Sequence, residues 1–245
     1  MLEMFNAART LTENQTTERL VAINSAEQAL KDSGVVDPGP AHPTVLPSQS
    51  ADFLTPQALE AEIERQAIMY QERGFPRELG YSSNIFKDII MRLVAPQEES
   101  SRGRFDTPII VIGSRIPVGD QYELLGVDYS LGEQMRNWDA LGYETPTDPR
   151  LVWMQDGSVN LGKDVKSVKN SLSTDERGAN IYDGVGLLVA RPTVLHDYIV
   201  DLPGSLYGHQ FASPTLRLWG LRPSVSYEFV GFSDPSSGSA TCARA

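Results

Sequence analysis

The stretch Leu216-Arg-Leu-Trp219-Gly220-Leu-Arg-Pro223-Ser-Val225-Ser-Tyr227-Glu-Phe229 changes character every second residue. Leu216 and Leu218 alternate with Arg217 and Trp219, and Val225, Tyr227 and Phe229 alternate with Ser224, Ser226 and Glu228. A period of two places one residue set on each side of a strand, and Gly220 to Pro223 supply the turn between two strands. Upstream the period lengthens to that of a helix. Thr55 is a suitable N-cap, Pro56 fits the first helical position, and Gly74 is placed to end a helix that lines up Leu59, Ile63, Ala67 and Tyr70. A second helix is expected from Ser82 or Ser83 to the stop at Pro96, with Ile85, Phe86, Ile89, Ile90, Leu93 and Val94 on a broad apolar face.

Between these two landmarks the signals are shorter. Pro108-Ile-Ile-Val-Ile-Gly113 reads as a buried strand, and Ser130-Leu-Gly-Glu133 as a capping box opening a helix with Leu131, Met135 and Trp138 on one side. Asp156-Gly157, between Leu151–Gln155 and Ser158–Leu161, predicts a β-hairpin. Residues 163–172 read as a helix with Val165, Val168 and Leu172 inward. Ile181–Ala190 and Thr193–Val200 read as two short helices around Pro192, the first weakened by Gly184 and Gly186. Helices come first and a mainly antiparallel sheet interrupted by short helices follows, so the expected class is α+β.

The first third has a different composition. Residues 16–33 carry a thin stripe of Leu20, Ile23 and Leu30 closed by Gly34, and residues 35–56 hold Pro38, Pro40, Pro43, Pro47 and Pro56. Three regions are therefore expected: a helical N-terminal segment over 1–34, a Pro-rich linker over 35–56, and a single α+β domain over 57–245. No internal repeat is visible.

Composition narrows the function classes. The 245 residues carry a formal net charge of −11, which repels phosphates on average and argues against nucleic-acid binding and anionic membranes. One cysteine excludes an intramolecular disulfide framework, and three histidines with one in the linker make a metal centre unexpected. The start, Met1-Leu-Glu-Met-Phe-Asn-Ala-Ala-Arg9, lacks the basic and apolar blocks of a secretory signal, so a cytoplasmic location is expected. The longest apolar runs, at Ile109–Ile112 and Val185–Ala190, fall far short of a membrane span.

Several segments together carry a resemblance. They are Gln-Glu-Arg-Gly74-Phe75-Pro76, the helix up to Pro96, the strand Pro108–Gly113, Trp153 to Leu161, and Asp183-Gly-Val-Gly-Leu-Leu-Val189 with Pro192 and Leu195. Gly204-Ser205, Pro214-Thr-Leu-Arg-Leu-Trp219 and Gly238-Ser-Ala-Thr-Cys242-Ala-Arg244 complete the set. Over roughly residues 57–245 the chain resembles a group of uncharacterised, mainly actinobacterial proteins known only as a domain of unknown function. Where that family carries a basic, Cys-containing segment and late tryptophans, this chain reads Gly208-His-Gln-Phe211 and Tyr227-Glu-Phe-Val-Gly231. The resemblance implies a bacterial source and a domain boundary, and it transfers no activity.

The chemistry-bearing candidates are few. No P-loop, dinucleotide fingerprint, His-Glu-x-x-His, nucleophile elbow or EF-hand spacing occurs, and no cofactor is expected. Cys242 with His196 or His209 and an aspartate from Asp197, Asp201 or Asp234 has the residue types of a thiol nucleophile, but a small buried residue at a strand end fits Cys242 better. Asp183, Asp197 and Asp201 offer carboxylates; Asp197 and Asp201, four apart, would share the face of a continuous helix, most simply a solvated one. The loop Ser233-Asp-Pro-Ser-Ser-Gly-Ser-Ala-Thr241 has the small hydroxyls of an anion cradle and equally the composition of an ordinary turn. Two functions follow as expectations. One is a non-enzymatic binding or interaction protein that meets a protein partner through its N-terminal segment. The other is an enzyme or sensor for a small anionic ligand held by Arg217, Arg222, His209, Ser236, Ser239 and Thr241.

Overall fold

A computed structural model describes residues 55–95, 97, 103–129, 147–206 and 212–244. The expected helix over 16–33, most of the linker, the capping box at Ser130, Trp138 and His209 lie outside the described residues.

The described chain runs α1 (Pro56–Glu72), α2 (Phe75–Glu78), α3 (Ser83–Met91), β1 (Thr107–Val111), α4 (Val118–Leu124), β2 (Arg150–Gln155), α5 (Val165–Ser171), β3 (Glu176–Gly178), α6 (Ile181–Ala190), β4 (Ile199–Asp201), β5 (Ala212–Trp219), β6 (Arg222–Phe229), β7 (Ser237–Ser239) and β8 (Thr241–Ala243). Short 3₁₀ turns occupy Ser158–Asn160 and Val194–His196. The class is α+β, with helices first. Sheet A has the order β1-β2-β8-β3 and is antiparallel throughout; sheet B has the order β6-β5-β4-β7, with only β4 and β7 parallel.

Local signals set α1. Thr55 accepts from the Ala58 amide at 3.2 Å, Pro56 fills the first turn, and Gly74 takes φ +87° after the last one. Leu59, Ile63, Ala67 and Tyr70 are buried as their spacing predicts, and so is Gln66. The Gln66 side chain explains its own burial: it donates to Pro108 O at 2.7 Å and accepts from Ile110 N at 2.9 Å. It thereby stands in for a neighbouring strand on the free edge of β1, which the helix covers. The Tyr70 hydroxyl donates to Ile110 O at 2.6 Å on the same edge.

Helix α6 is the centre of the fold, buried along Ile181–Val189. Its glycines are contact points. A Cβ on Gly186 would lie 2.8 Å from Ile110 O, and one on Gly184 would lie 2.6 Å from the Tyr122 hydroxyl and 2.8 Å from Leu202. Both ends are tied down: Asn180 and Asp183 form a capping box, Ser205 Oγ accepts from Ile181 N, and Arg65 donates to the last carbonyls, Val189 O and Ala190 O. The closing strand then joins the two sheets. It pairs with β4 as β7 and with β2 and β3 as β8, and changes sheet at Ala240, whose amide donates to Asp201 O while its carbonyl accepts from Ala179 N. Backbones touch beside this crossing at Gly157 with Gly238 and at Gly178 with Gly204.

Four expectations are corrected. Asp156-Gly157 makes no hairpin, because the edges of β2 are taken by β1 and β8; the Asp156 carboxylate instead accepts from Ser158 N at 3.0 Å and starts a 3₁₀ turn. Thr193–Val200 is no helix: after one 3₁₀ turn, the β-branched pair Ile199-Val200 enters sheet B. Helix α3 stops at Met91, and of its broad face only Phe86 and Ile90 are buried while Ile85 is exposed. Leu172 is only half-buried, one residue past the end of α5.

Candidate functional site

Strands β5 and β6 form a tight hairpin with Trp219 opposite Arg222 and a two-residue loop whose Gly220 takes φ +65°. Alternation divides it. Leu216 and Val225 are buried on the face toward α6, whereas Ser213, Thr215, Arg217, Ser224, Ser226 and Glu228 share the other face. Beyond Leu218 the hairpin leaves the core. Leu221 is 90% and Trp219 75% exposed, and Tyr227, Phe229 and Phe232 are exposed at the opposite end of β6.

Of the six residues expected to hold an anion, the five that are described do not converge on one pocket. Arg217 and Ser239 do share the outer face of sheet B, on β5 and β7 with β4 between them. Arg222 stands at the exposed hairpin tip, and Ser236 is exposed in a turn where Asp234 Oδ1 accepts both its amide (2.8 Å) and its hydroxyl (2.7 Å). Thr241 belongs to sheet A, buried between Gln155 and Gly178. His209 lies outside the described residues. Ser236 therefore spends its donors on its own turn, Ser237 Oγ donates to Asp201, and an acidic group lies beside Arg217: Glu228 Oε2 is 3.4 Å from its guanidinium.

Asp201 is the carboxylate that spacing misplaced. Asp197 is exposed at the end of a 3₁₀ turn, while Asp201 is buried on β4, so the two do not share a helical face. Burial pushes the Asp201 carboxyl up to about 6, opposed by the Ser237 hydroxyl that donates to Oδ2 at 2.7 Å, with Glu228 and Asp234 adding to the rise and Arg217 countering it. Asp183 is buried as well. It accepts from Asn180 N at 2.7 Å and from both terminal nitrogens of Arg177, at 2.5 and 3.0 Å, and Arg150 approaches to 3.9 Å. An anion already fills the N-terminus of α6, and it is Asp183 itself.

Cys242 sits in the same cluster. Its thiol is fully buried, and burial raises its pKa far above the ordinary value, with Asp183 adding and Arg177 and Arg150 opposing. Its charged neighbours are these three, and His196 stands on the exposed side of a 3₁₀ turn. Among the described residues no histidine stands beside this thiol, and its surroundings hold it protonated rather than as the nucleophilic thiolate. Among the described residues no group of three His, Cys, Asp or Glu side chains is arranged to hold a metal ion. Glu78, Asp120, Glu123 and Leu124 line a shallow, open depression on the helical side, whose carboxylates repel anions. No helix of the described chain is long and apolar enough to cross a membrane.

Sequence reasoning missed Gln66, the Asp183–Arg177 pair and the buried state of Asp201. Gln66 had left a trace, since it falls on the buried stripe of α1 beside Ile63 and Tyr70. No family model, curated protein or solved structure matches the chain.

Proposed function

We propose that this is a non-enzymatic interaction protein that engages a protein partner through the β5–β6 hairpin. The observation carrying this reading is the exposure of Trp219 and Leu221 at the tip, beside Arg222, on a strand pair whose β5 member is buried over residues 212–216. A large aromatic, an aliphatic and an arginine on a stiff projecting element are the residue types that dominate protein interfaces, and leaving them in water is unfavourable unless they are covered. The anion-ligand reading loses ground because Arg217 is held by Glu228, and Arg222, Ser236 and Thr241 lie away from the face it shares with Ser239. The test is a photo-crosslinking residue placed at Leu221, and at exposed Arg73 as control, in the full chain inside cells. A discrete adduct from Leu221 that is absent from Arg73 and lost on Trp219→Ser supports the hairpin; identical adducts from both positions, or none from Leu221, overturn it.

A further inference from the structure

Four buried side-chain atoms without a hydrogen-bond partner gather on the outer face of sheet B: Asp201 Oδ1, Thr215 Oγ1, Ser239 Oγ and Arg217 Nε. The strand register explains their meeting. Asp201 pairs with Ser239 on one side and with Thr215 on the other, so the three form a row across β7, β4 and β5, and Arg217 follows Thr215 by two residues on the same face. Thr215 and Ser239 are wholly buried and Asp201 is 3% exposed. Orphaned buried polar atoms are costly and rare, and a run of them on adjacent strands calls for a common partner.

Spacing and chemistry identify that partner. Neighbouring strands lie about 4.8 Å apart; Ser237 Oγ spans that gap to Asp201 Oδ2, whereas Asp201 Oδ1, Thr215 Oγ1 and Ser239 Oγ make no such direct bond. A single oxygen that bonds two neighbours at about 2.8 Å in tetrahedral directions holds them about 4.6 Å apart. The row presents an acceptor at Asp201 Oδ1, a donor at Arg217 Nε and two hydroxyls of either sense, so its partner must both donate and accept. An anion is disfavoured by Asp201, Glu228 and Asp234, which all act on this face, and a metal cation by the Arg217 donor. We propose that the Ser239–Asp201–Thr215 row is an internal hydration site that holds ordered water as a permanent ligand of sheet B. It is independent of the hairpin tip and of any partner there.

The sign of one substitution separates this site from a dry row. Val has the shape of Thr without the hydroxyl, so Thr215→Val in a dry row removes an unpaired polar group and leaves Tm equal or higher. In a hydrated row the same change takes a partner from bound water, and Tm falls by about 2–6 °C. Ser239→Ala is expected to lower Tm in the same sense. The wild-type protein supplies a readout that needs no variant: magnetisation transfer in NMR from long-lived water to the protons of Thr215 and Ser239. Cross-peaks to both residues, weakened in Thr215→Val, support the site. A raised or unchanged Tm in Thr215→Val, or no transfer to either residue in the wild type, overturns it.

Discussion

Asp201 holds three positions together with one residue: its carbonyl accepts from Ala240 at the strand crossing, its Oδ2 accepts from Ser237, and its place on β4 lies between Thr215 and Ser239. Keeping a carboxylate there has a pH signature. The folded value of about 6 lies above the value near 3.9 of an unfolded aspartate, so the native state binds the proton more tightly. Below about pH 4 the group is protonated in both states and costs nothing. As pH rises from about 4 to 6 the unfolded chain ionises first, and native stability falls by about 2–3 kcal/mol before levelling off. Asp201→Asn removes that charge while keeping an acceptor for Ser237. The variant is expected to gain about 1–2 kcal/mol over wild type at pH 7.5 and to lose that advantage at pH 4.5, read as the difference between urea-unfolding curves. Taking the difference cancels the opposite trend of Asp164 and Asp175, whose carboxyls are held below the usual range chiefly by the hydroxyls of Ser167 and Ser173. An advantage that does not change with pH would contradict an ionised, desolvated Asp201.

At the scale of elements, α6 shows how a residue can be unfavourable locally and required by packing. Ala exceeds Gly in helix propensity by about 1 kcal/mol, which is why Gly184 and Gly186 weakened the expected helix. The helix forms all the same because an added methyl at Gly186 would meet a main-chain carbonyl of β1 that cannot step aside. Gly186→Ala is therefore expected to cost about 2–3 kcal/mol net in chemical denaturation, whereas Gly231→Ala, with open space around it, changes stability by less than about 0.5 kcal/mol. The same contrast explains what was legible. Thr55, Pro56 and Gly74 act through bonds within a few residues, and the alternation over Leu216–Phe229 records one hairpin, so both could be read directly. Asp156-Gly157 carried an equally strong local signal, but the strand before it is paired by β1 and β8 from distant parts of the chain. For the candidate site, the face shared by Arg217 and Trp219 followed from alternation; the partner of Arg217 and the exposure of the tip depended on where Glu228 and the core end up.

For the molecule as a whole, the Asp183 cluster ties the central helix to sheet A: Arg177 on β3, Arg150 on β2 and Cys242 on β8 all surround one carboxylate at the start of α6. Removing that charge leaves a buried guanidinium without its anion, so Asp183→Asn is expected to lose about 3–5 kcal/mol of unfolding free energy. Adding Arg177→Met to that variant should restore part of the loss, because the stranded charge goes with it; a double variant weaker by the full sum of the two single losses would mean the residues act independently. The strand crossing at Ala240 has a further consequence, in the timing of assembly. Strand β8 occupies an inner position of sheet A yet comes after every other strand in the chain, and its immediate predecessor β7 completes sheet B. While the chain is being synthesised, β2 and β3 wait with facing edges open, and neither sheet reaches its final strand order until residues 237–243 arrive. Such late, long-range closure raises contact order and slows folding, and in that interval the unpaired edges of β2 and β3 are open to mispairing with another strand.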